Sequence, residues 1–324
     1  ENTAAPIGVF DSGVGGLTVL KAIREAMPAE NFVYLGDTAR LPYGTKSPTS
    51  IARYAAQATA KLLEYDIKML VVACNTASAV ALEALQQQMH PIPVIGVVEP
   101  GAMAAVEARP GAAHLVLATE ATVRLGAYRK AILSRDPEAR IREQPCELLV
   151  ALAEEGWTSG DIAESIISRY LEDAEDGDFT PDSIILGCTH FPLLRDSISR
   201  VAADGVVVVD SAVTTAAVVQ GVLAANADLS AGSDAGELKL LATDGAQRFA
   251  HRNGRRRSRL DVPCSSEQPR AARLHPLLSR CHPCAAPYAE ALHREVQGQV
   301  RCGLRSLSRV GPATHDRHRL RRLT

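Results

Sequence analysis

The chain has 324 residues, of which 46% are hydrophobic and only 4% aromatic, and its formal net charge is -2. This length allows two domains, each with its own core, and the composition suits α/β packing built from Ala, Val, Leu and Ile. No apolar run approaches the roughly 18 residues of a membrane helix and the start lacks a signal-peptide pattern, so we expect a cytoplasmic protein without a membrane partner.

The first 98 residues alternate short apolar strands with helical patterns, which is typical of a parallel α/β domain. Predicted strands cover 7–10, 32–35, 68–73 and 94–97. Predicted helices cover 17–27, 48–65 and 76–89. The dipeptide Ser47-Pro48 is a favourable start for the second helix. The segment 99–101, Glu-Pro-Gly, then indicates a crossover into a second domain.

Residues 99–210 repeat this pattern as a loose copy. Predicted strands cover 115–118, 183–186 and 206–209, and predicted helices cover 122–134, 147–155 and 161–172. The helix after Asp210 would return the chain to the first domain. The sequence therefore predicts two pseudo-symmetric parallel-sheet α/β domains with the active site between them. The first comprises 1–98 and 211–250, and the second comprises 99–210.

Residues 251–324 differ from the rest, with 16 Arg, no Lys and five acidic residues. They lack strand or helix periodicity, so we interpret them as an atypical basic tail that is disordered, or that reflects a GC-rich gene read out of frame. Nucleic-acid binding through phosphates is an alternative function for this tail. Cys281 and Cys284 have metal-like spacing but lack a second such pair, so we expect no metal.

Cys74 and Cys188 each follow a strand-like apolar run directly. Open α/β folds gather ligands at the carboxyl ends of their strands, so the two thiols could face one pocket. The alternative for each is an ordinary core cysteine, which is our interpretation of Cys146. A strand end that only packs in the core does not need polar neighbours. The polar residues beside these two cysteines therefore favour a functional role for the thiols, and they are Asn75, Thr76, Thr189 and His190.

The glycine-rich turn at 11–16 does not match a dinucleotide-binding motif, because Thr18 stands where the third Gly or Ala belongs. Its N–H groups at a helix start suit a carboxylate or phosphate. Asp11 would repel such an anion unless it serves a catalytic proton donor. Two thiols on opposite sides of a carbon acid would let one remove a proton while the other supplies one, without a cofactor.

Four segments together resemble the motifs of bacterial glutamate racemase, of the aspartate/glutamate racemase superfamily, and the resemblance covers roughly residues 6–250. The segments are 11–16, 41–44, 73–78 and 187–192. The resemblance implies a cofactor-independent two-base racemase that interconverts L- and D-glutamate. It also implies that the product serves peptidoglycan synthesis, and hence cell wall biogenesis and cell shape, and that the enzyme is a homodimer.

By the same resemblance, Cys74 takes the proton from D-glutamate and Cys188 takes it from L-glutamate. Asp11 would assist Cys74, and His190 would assist Cys188. Glu154 matches an acidic residue near the second thiol, with a solvated helix carboxylate as its alternative. The implied substrate-binding residues are Asp11, Ser12, Pro42, Tyr43, Gly44, Cys74, Asn75, Thr76, Thr119, Thr122, Cys188, Thr189 and His190. Packing is the alternative for Tyr43, and a helix cap for Thr122.

Two groups of alternatives remain open. A related two-thiol enzyme, such as an aspartate racemase, hydantoin racemase or maleate isomerase, would share the fold and the paired cysteines. An inactive binding protein could instead use the tail to bind nucleic acid, or its body to bind a partner such as gyrase. Members of the family usually end with a closing helix and strand, so we also expect the first domain to lack part of that closing segment.

Overall fold

The computed structural model describes residues 3–174, 178–230, 232 and 234–245, together with the backbone of 264–265. The predictions for the basic tail, including Cys281 and Cys284, therefore lie outside the described residues apart from that two-residue backbone. Among the helices that are described, none is long and apolar enough to cross a membrane.

The described strands are β1 (Ile7–Asp11), β2 (Phe32–Gly36), β3 (Met69–Val72), β4 (Val94–Gly96), β5 (Ala113–Ala118), β6 (Arg140–Pro145), β7 (Ser183–Gly187), β8 (Val207–Val209), β9 (Leu238–Ala242) and β10 (Cys264–Ser265). They form two sheets, in the orders β10-β9-β2-β1-β3-β4 and β6-β5-β7-β8. Every pairing in both sheets is parallel. The predicted fold class of two parallel-sheet α/β domains is confirmed, whereas the domain boundaries stay a prediction.

The described helices are α1 (Leu17–Ala26), α2 (Pro48–Leu63), α3 (Asn75–Met89), α4 (Val98–Ala108), α5 (Glu120–Leu125), α6 (Ala127–Leu133), α7 (Glu147–Glu155), α8 (Asp161–Ala174), α9 (Arg195–Val201) and α10 (Ala212–Ala225). A 3-10 turn at Phe191–Leu194 precedes α9. Apolar clusters cover both faces of each sheet. This burial explains why the central strands read as continuous apolar runs rather than alternating patterns.

The segment 99–101 lies in the first turn of α4, the helix that connects β4 of the first sheet to β5 of the second. Pro100 is tolerated there because the first turn's N–H groups have no partner within the helix. One local prediction about helices is wrong. The helix expected over 122–134 is two helices, α5 and α6. Gly126 separates them with a φ of 58°, a left-handed conformation that glycine adopts without steric cost.

Three strands were not expected from the sequence, namely β6, β9 and the two-residue β10, which pairs with β9. β6 lies at the edge of the four-stranded sheet, and its partly exposed sequence RIREQP has no apolar run to indicate it. β9 pairs with β2 and widens the first sheet. The first sheet thus has a further strand after α10, where we expected part of a closing segment to be missing.

A buried ion pair lies beneath the amino ends of the first sheet. Lys68 Nζ is 2.6 Å from Glu30 Oε2, and both side chains are 2% exposed. The same ammonium donates to the carbonyls of Thr3 and Asp228, and the Ser230 N–H donates to the other Glu30 oxygen. These contacts join the start of the chain to the segment between α10 and β9.

Lys68→Met is expected to lower the free energy of unfolding by about 3–5 kcal/mol, because it leaves the Glu30 carboxylate buried without its cation. Urea unfolding followed by circular dichroism measures the change. Lys21→Met is the matched control, since the Lys21–Glu25 pair is exposed on a helix face and should contribute less than about 1 kcal/mol. Equal effects of the two substitutions would contradict this account of the ion pair.

Candidate active site

The ends of four strands supply the site. In the first sheet, β2 lies on one side of β1 and β3 lies on the other, so the chain changes the direction in which it adds strands between β1 and β3. The second sheet has the same change between β5 and β7. Such switch points are where open α/β sheets bind ligands. Asp11 ends β1, Cys74 follows β3, Thr119 follows β5 and Cys188 follows β7. The fold therefore places all four side chains at switch points.

A cavity lies where the two sets of strand ends meet. It is lined by Ser12, Leu41, Pro42, Tyr43, Gly44, Cys74, Asn75, Thr76, Thr119, Val150, Cys188, Thr189 and His190. Eleven of these residues were predicted from the sequence, and both thiols are among them. Leu41 and Val150 were not predicted, since an apolar residue in a loop or helix carries no chemical signal. Asp11, Thr122 and Glu154 lie behind the lining.

Cys74 caps the amino end of α3. Its thiol donates to Ser12 Oγ at 3.6 Å and accepts the Ala77 N–H at 3.4 Å. Burial raises the pKa of Cys74 to about 12, and the charge of Asp11 acts in the same direction, against smaller lowering effects of these two hydrogen bonds. Cys74 is therefore a protonated thiol at neutral pH when the site is empty.

Asp11 is fully buried and links the two halves of the site. One carboxylate oxygen accepts the Gly13 N–H at 2.9 Å, and the other accepts the Thr189 hydroxyl at 3.3 Å. Gly16 allows α1 to begin against this side chain, because a Cβ there would lie 2.6 Å from the Asp11 Cβ. The carboxylate is thus held by loops that follow β1 and β7.

The second thiol belongs to a chain of three side chains. Cys188 Sγ lies 3.6 Å from His190 Nδ1, and His190 Nε2 lies 2.6 Å from Glu154 Oε1. The His190 and Glu154 side chains are 3% and 10% exposed. Glu154 is therefore not the solvated helix carboxylate that we considered as its alternative. The arrangement can orient the imidazole and exchange a proton with the thiol.

Three threonine hydroxyls form a cluster on one side of the cavity. Thr76 Oγ1 lies 2.9 Å from Thr119 Oγ1, which lies 3.0 Å from Thr122 Oγ1. Thr122 also donates to Thr76 at 3.4 Å. Thr122 is buried inside α5, so it is not a helix cap as the alternative had it. Hydroxyls of this kind can donate to a carboxylate.

The loop at 41–44 lines one side of the cavity. Its Tyr43 hydroxyl donates to Asp37 Oδ2 at 2.5 Å, and burial raises the pKa of Tyr43, so the phenol stays protonated. Gly44 allows close approach to the other half of the site, since a Cβ there would lie 2.6 Å from Thr119 Cβ. The Ala121 N–H donates to the Gly44 carbonyl at 3.0 Å.

Asp37 is a residue of the site's support that the sequence reasoning missed. It is fully buried and accepts hydrogen bonds from Tyr43, from Arg40 at 3.2 Å and from the Thr243 hydroxyl at 2.8 Å. A carboxylate directly after a buried strand was the available signal, the same signal that singled out Asp11. Thr243 follows β9, so the unexpected strand also contributes to holding the loop of Tyr43.

The raised pKa of Cys74 gives a pH prediction. In the free protein, alkylation of Cys74 by iodoacetamide should accelerate about tenfold per pH unit from pH 7 to 10, because only the thiolate reacts and its pKa is about 12. Peptide mass spectrometry at timed intervals measures the rate, and circular dichroism checks the fold at each pH. Free cysteine is the control, with a rate that levels off above about pH 9. A plateau for Cys74 below pH 9 would contradict the burial argument.

Within the described part of the chain, no group of three or more His, Cys, Asp or Glu side chains could hold a metal ion.

Comparison with known proteins places this site in context. Residues 7–220 match the family model described as Asp/Glu/Hydantoin racemase. The chain is 50% identical over 217 residues to the glutamate racemase of Geobacter metallireducens, a match that covers 67% of this chain and 79% of that protein.

Two solved structures resemble the fold closely. The glutamate racemase of Thermus thermophilus, in complex with beta-chloro-D-alanine, superposes with a TM-score of 0.73 and 39% identity, covering 83% of this chain and 98% of that one. The glutamate racemase of Francisella tularensis, in complex with D-glutamate, gives a TM-score of 0.72 and 35% identity, covering 78% and 93%.

Proposed function

Because the chain belongs to the glutamate racemase family, within the Asp/Glu/Hydantoin racemases, we propose that it interconverts L- and D-glutamate. The observation that carries this proposal is that Cys74 and Cys188 line one cavity, each at a strand end of a different sheet. We propose glutamate as the substrate, rather than aspartate, a hydantoin or maleate, because relatives that are 43–50% identical are named glutamate racemases.

The proposed reaction uses two bases and no cofactor. With D-glutamate bound, the Cys74 thiolate removes the α-proton and the Cys188 thiol delivers a proton to the opposite face, which gives L-glutamate. The reverse reaction exchanges the two roles. After each turnover, the cysteine that began as the thiolate is a thiol and the other is a thiolate. The total number of protons does not change.

Cys74 holds its proton in the empty site, and this protonated form is the one that acts as the acid on L-glutamate. For the D-enantiomer, Cys74 must first ionise. The α-ammonium group of bound glutamate is a cation, and a cation close to a thiol lowers its pKa. We propose that the α-ammonium group lies near Cys74 and promotes this ionisation.

The supporting residues have distinct proposed roles. His190 holds and exchanges the proton of Cys188, and Glu154 orients the imidazole. Asp11 holds the Thr189 hydroxyl and the Gly13 N–H in place beside Cys74. The other lining residues that were predicted from the sequence bind the substrate, and they are Ser12, Pro42, Tyr43, Gly44, Asn75, Thr76, Thr119 and Thr189. Thr122 acts on the substrate through the hydroxyl cluster.

We extend the proposal to the cellular role that the family resemblance implies, namely supplying D-glutamate for peptidoglycan and so for cell wall biogenesis and cell shape. The mechanism requires reduced thiols, which suits the cytoplasm. Homodimer formation stays a prediction that light scattering can test. Nucleic-acid binding by the tail and gyrase binding by the body stay predictions, which binding assays with the full chain can test.

When purified protein is incubated with D-glutamate, the circular dichroism signal of the glutamate at a fixed wavelength should disappear. L-glutamate should appear on chiral chromatography. No pyridoxal phosphate or metal is added. D-aspartate, a hydantoin and maleate, tested in parallel, should turn over at least 100-fold more slowly. Turnover of one of these in preference to glutamate would overturn the substrate assignment. A folded, reduced protein that converts none of them would support the inactive binding protein instead.

Complementation tests the cellular role. Expression of the full chain should restore growth of a bacterial strain that requires added D-glutamate. A Cys74→Ala version, expressed to the same level, is the control and should not. Failure of the active enzyme to restore growth would contradict the proposed supply of D-glutamate.

A further inference from the structure

Tyr128 of α6 lies outside the cavity lining, yet it contacts the residue next to each of the two thiols. The side chain is fully buried. Its hydroxyl accepts a hydrogen bond of 2.6 Å from Asn75 Nδ2. Asn75 directly follows Cys74, begins α3 and lines the cavity. The amide that faces the substrate space is therefore held from behind by this phenol.

The ring of the same tyrosine packs against Gly187, which directly precedes Cys188. A Cβ on Gly187 would lie 3.1 Å from Tyr128 Cε2 and 2.8 Å from the Leu117 carbonyl oxygen, so glycine is needed for this close approach. The chain that delivers Cys188 thus lies directly against the ring.

The hydroxyl itself is confined on a third side by α4. A Cβ on Gly101 would lie 2.9 Å from Tyr128 Oη and 3.2 Å from Ser211 Cβ. Burial, and secondarily the charge of Cys188, raises the pKa of Tyr128, so the phenol stays neutral at neutral pH. The hydroxyl has one well-defined position, which is the position that meets Asn75.

From these contacts we propose that Tyr128 is a positioning residue for racemisation: its hydroxyl fixes the Asn75 amide while its ring fixes the strand end at Gly187. One side chain thereby keeps the two thiol-bearing turns in register with each other. Asn75 begins α3, which follows β3 of the six-stranded sheet. Tyr128 lies in α6, which connects β5 to β6 of the four-stranded sheet, and Gly187 ends β7 of that sheet. This inference rests on the proposed function.

Tyr128→Phe tests the hydroxyl while keeping the ring. We expect kcat/KM for glutamate to fall about tenfold, with most of the change in KM, because the loosened Asn75 amide binds substrate and transition state less well alike. The two enantiomers have equal free energy in water, so kcat/KM must fall by the same factor in both directions, which checks the measurement internally. Thermal unfolding should change by only a few degrees.

A double-substitution cycle separates positioning from a general structural effect. In an Asn75→Ala background, Tyr128→Phe should cause less than a twofold further change in kcat/KM, because the partner through which it acts is gone. Tyr170→Phe is the matched control: that hydroxyl also accepts one hydrogen bond, from the Leu148 N–H at 3.2 Å, and its loss should leave kcat/KM unchanged. Multiplicative effects of Tyr128→Phe and Asn75→Ala would overturn the inference.

Gly101→Ala provides an independent variant in case Tyr128→Phe does not fold. Alanine favours a helix more than glycine does, so α4 itself is not weakened. The added methyl group must nevertheless displace the Tyr128 hydroxyl. We expect a loss of several-fold in kcat/KM in a folded protein. Full activity in both Tyr128→Phe and Gly101→Ala would overturn the inference but not the proposed function, which instead fails only if the wild type does not racemise glutamate.

Discussion

Replacing either Cys74 or Cys188 by alanine is expected to lower the rate of glutamate racemisation by at least about 10³-fold, since each removes one of the two groups that exchange a proton with Cα. Both thiols line the cavity, and each is almost fully buried. The conversion of each enantiomer into the other, followed by chiral chromatography, measures the rate. Both directions should be lost in both variants, because each direction needs one thiol as base and the other as acid.

Cys146→Ala is the matched control for this experiment. Cys146 is also a buried free thiol, but it donates to the Gln144 carbonyl at 3.4 Å and does not line the cavity. Its loss should change the rate less than about threefold, even though the small cavity it leaves should lower the free energy of unfolding by about 1 kcal/mol. If Cys146→Ala were as damaging as the other two, the two-thiol mechanism would lose its support.

The second large effect is expected for Asp11→Asn, which should lower kcat by about 10²-fold. Both oxygens of the carboxylate accept hydrogen bonds, from Gly13 and Thr189. An amide has only one accepting oxygen, so its NH2 group would face one of these two donors. Steady-state kinetics in both directions measures the loss.

The same variant makes a separate prediction about Cys74. The negative charge of Asp11 is one cause of the raised pKa of the thiol, so removing it should lower that pKa. Alkylation of Cys74 by iodoacetamide at pH 8 should therefore be faster in Asp11→Asn than in the wild type, although racemisation is slower. Asp182→Asn is the control, because Asp182 accepts the Ala113 N–H away from the cavity. Unchanged Cys74 reactivity in Asp11→Asn would contradict the electrostatic account.

Local sequence was sufficient for the parts of the site that follow a strand directly. An apolar run that stops at a Cys with polar residues after it specifies a strand, its carboxyl end and a thiol at that edge of the sheet, so Cys74 and Cys188 could be predicted. The parallel architecture could be predicted for the same reason, because buried strands and intervening helices have different apolar periods.

Contacts between distant segments could not be predicted in this way. Asp37 meets Thr243 across 206 positions, and Asn75 meets Tyr128 across 53. No local pattern encodes such pairings, which depend on how the helices pack. β6 escaped prediction because an edge strand is only half buried and so carries charged residues. The break at Gly126 was missed because an isolated glycine is also tolerated within helices.

The most direct test of the two-base proposal is racemisation of D-glutamate in D2O, stopped at low conversion, with the deuterium at Cα of each enantiomer measured by mass spectrometry after chiral separation. Because a different thiol serves each face and thiol protons exchange with solvent, the L-glutamate formed should carry one deuterium while the remaining D-glutamate carries essentially none. Equal deuterium in both enantiomers would indicate one base acting on both faces and would contradict the assignment of Cys74 and Cys188. The absence of any L-glutamate would contradict the proposed function itself.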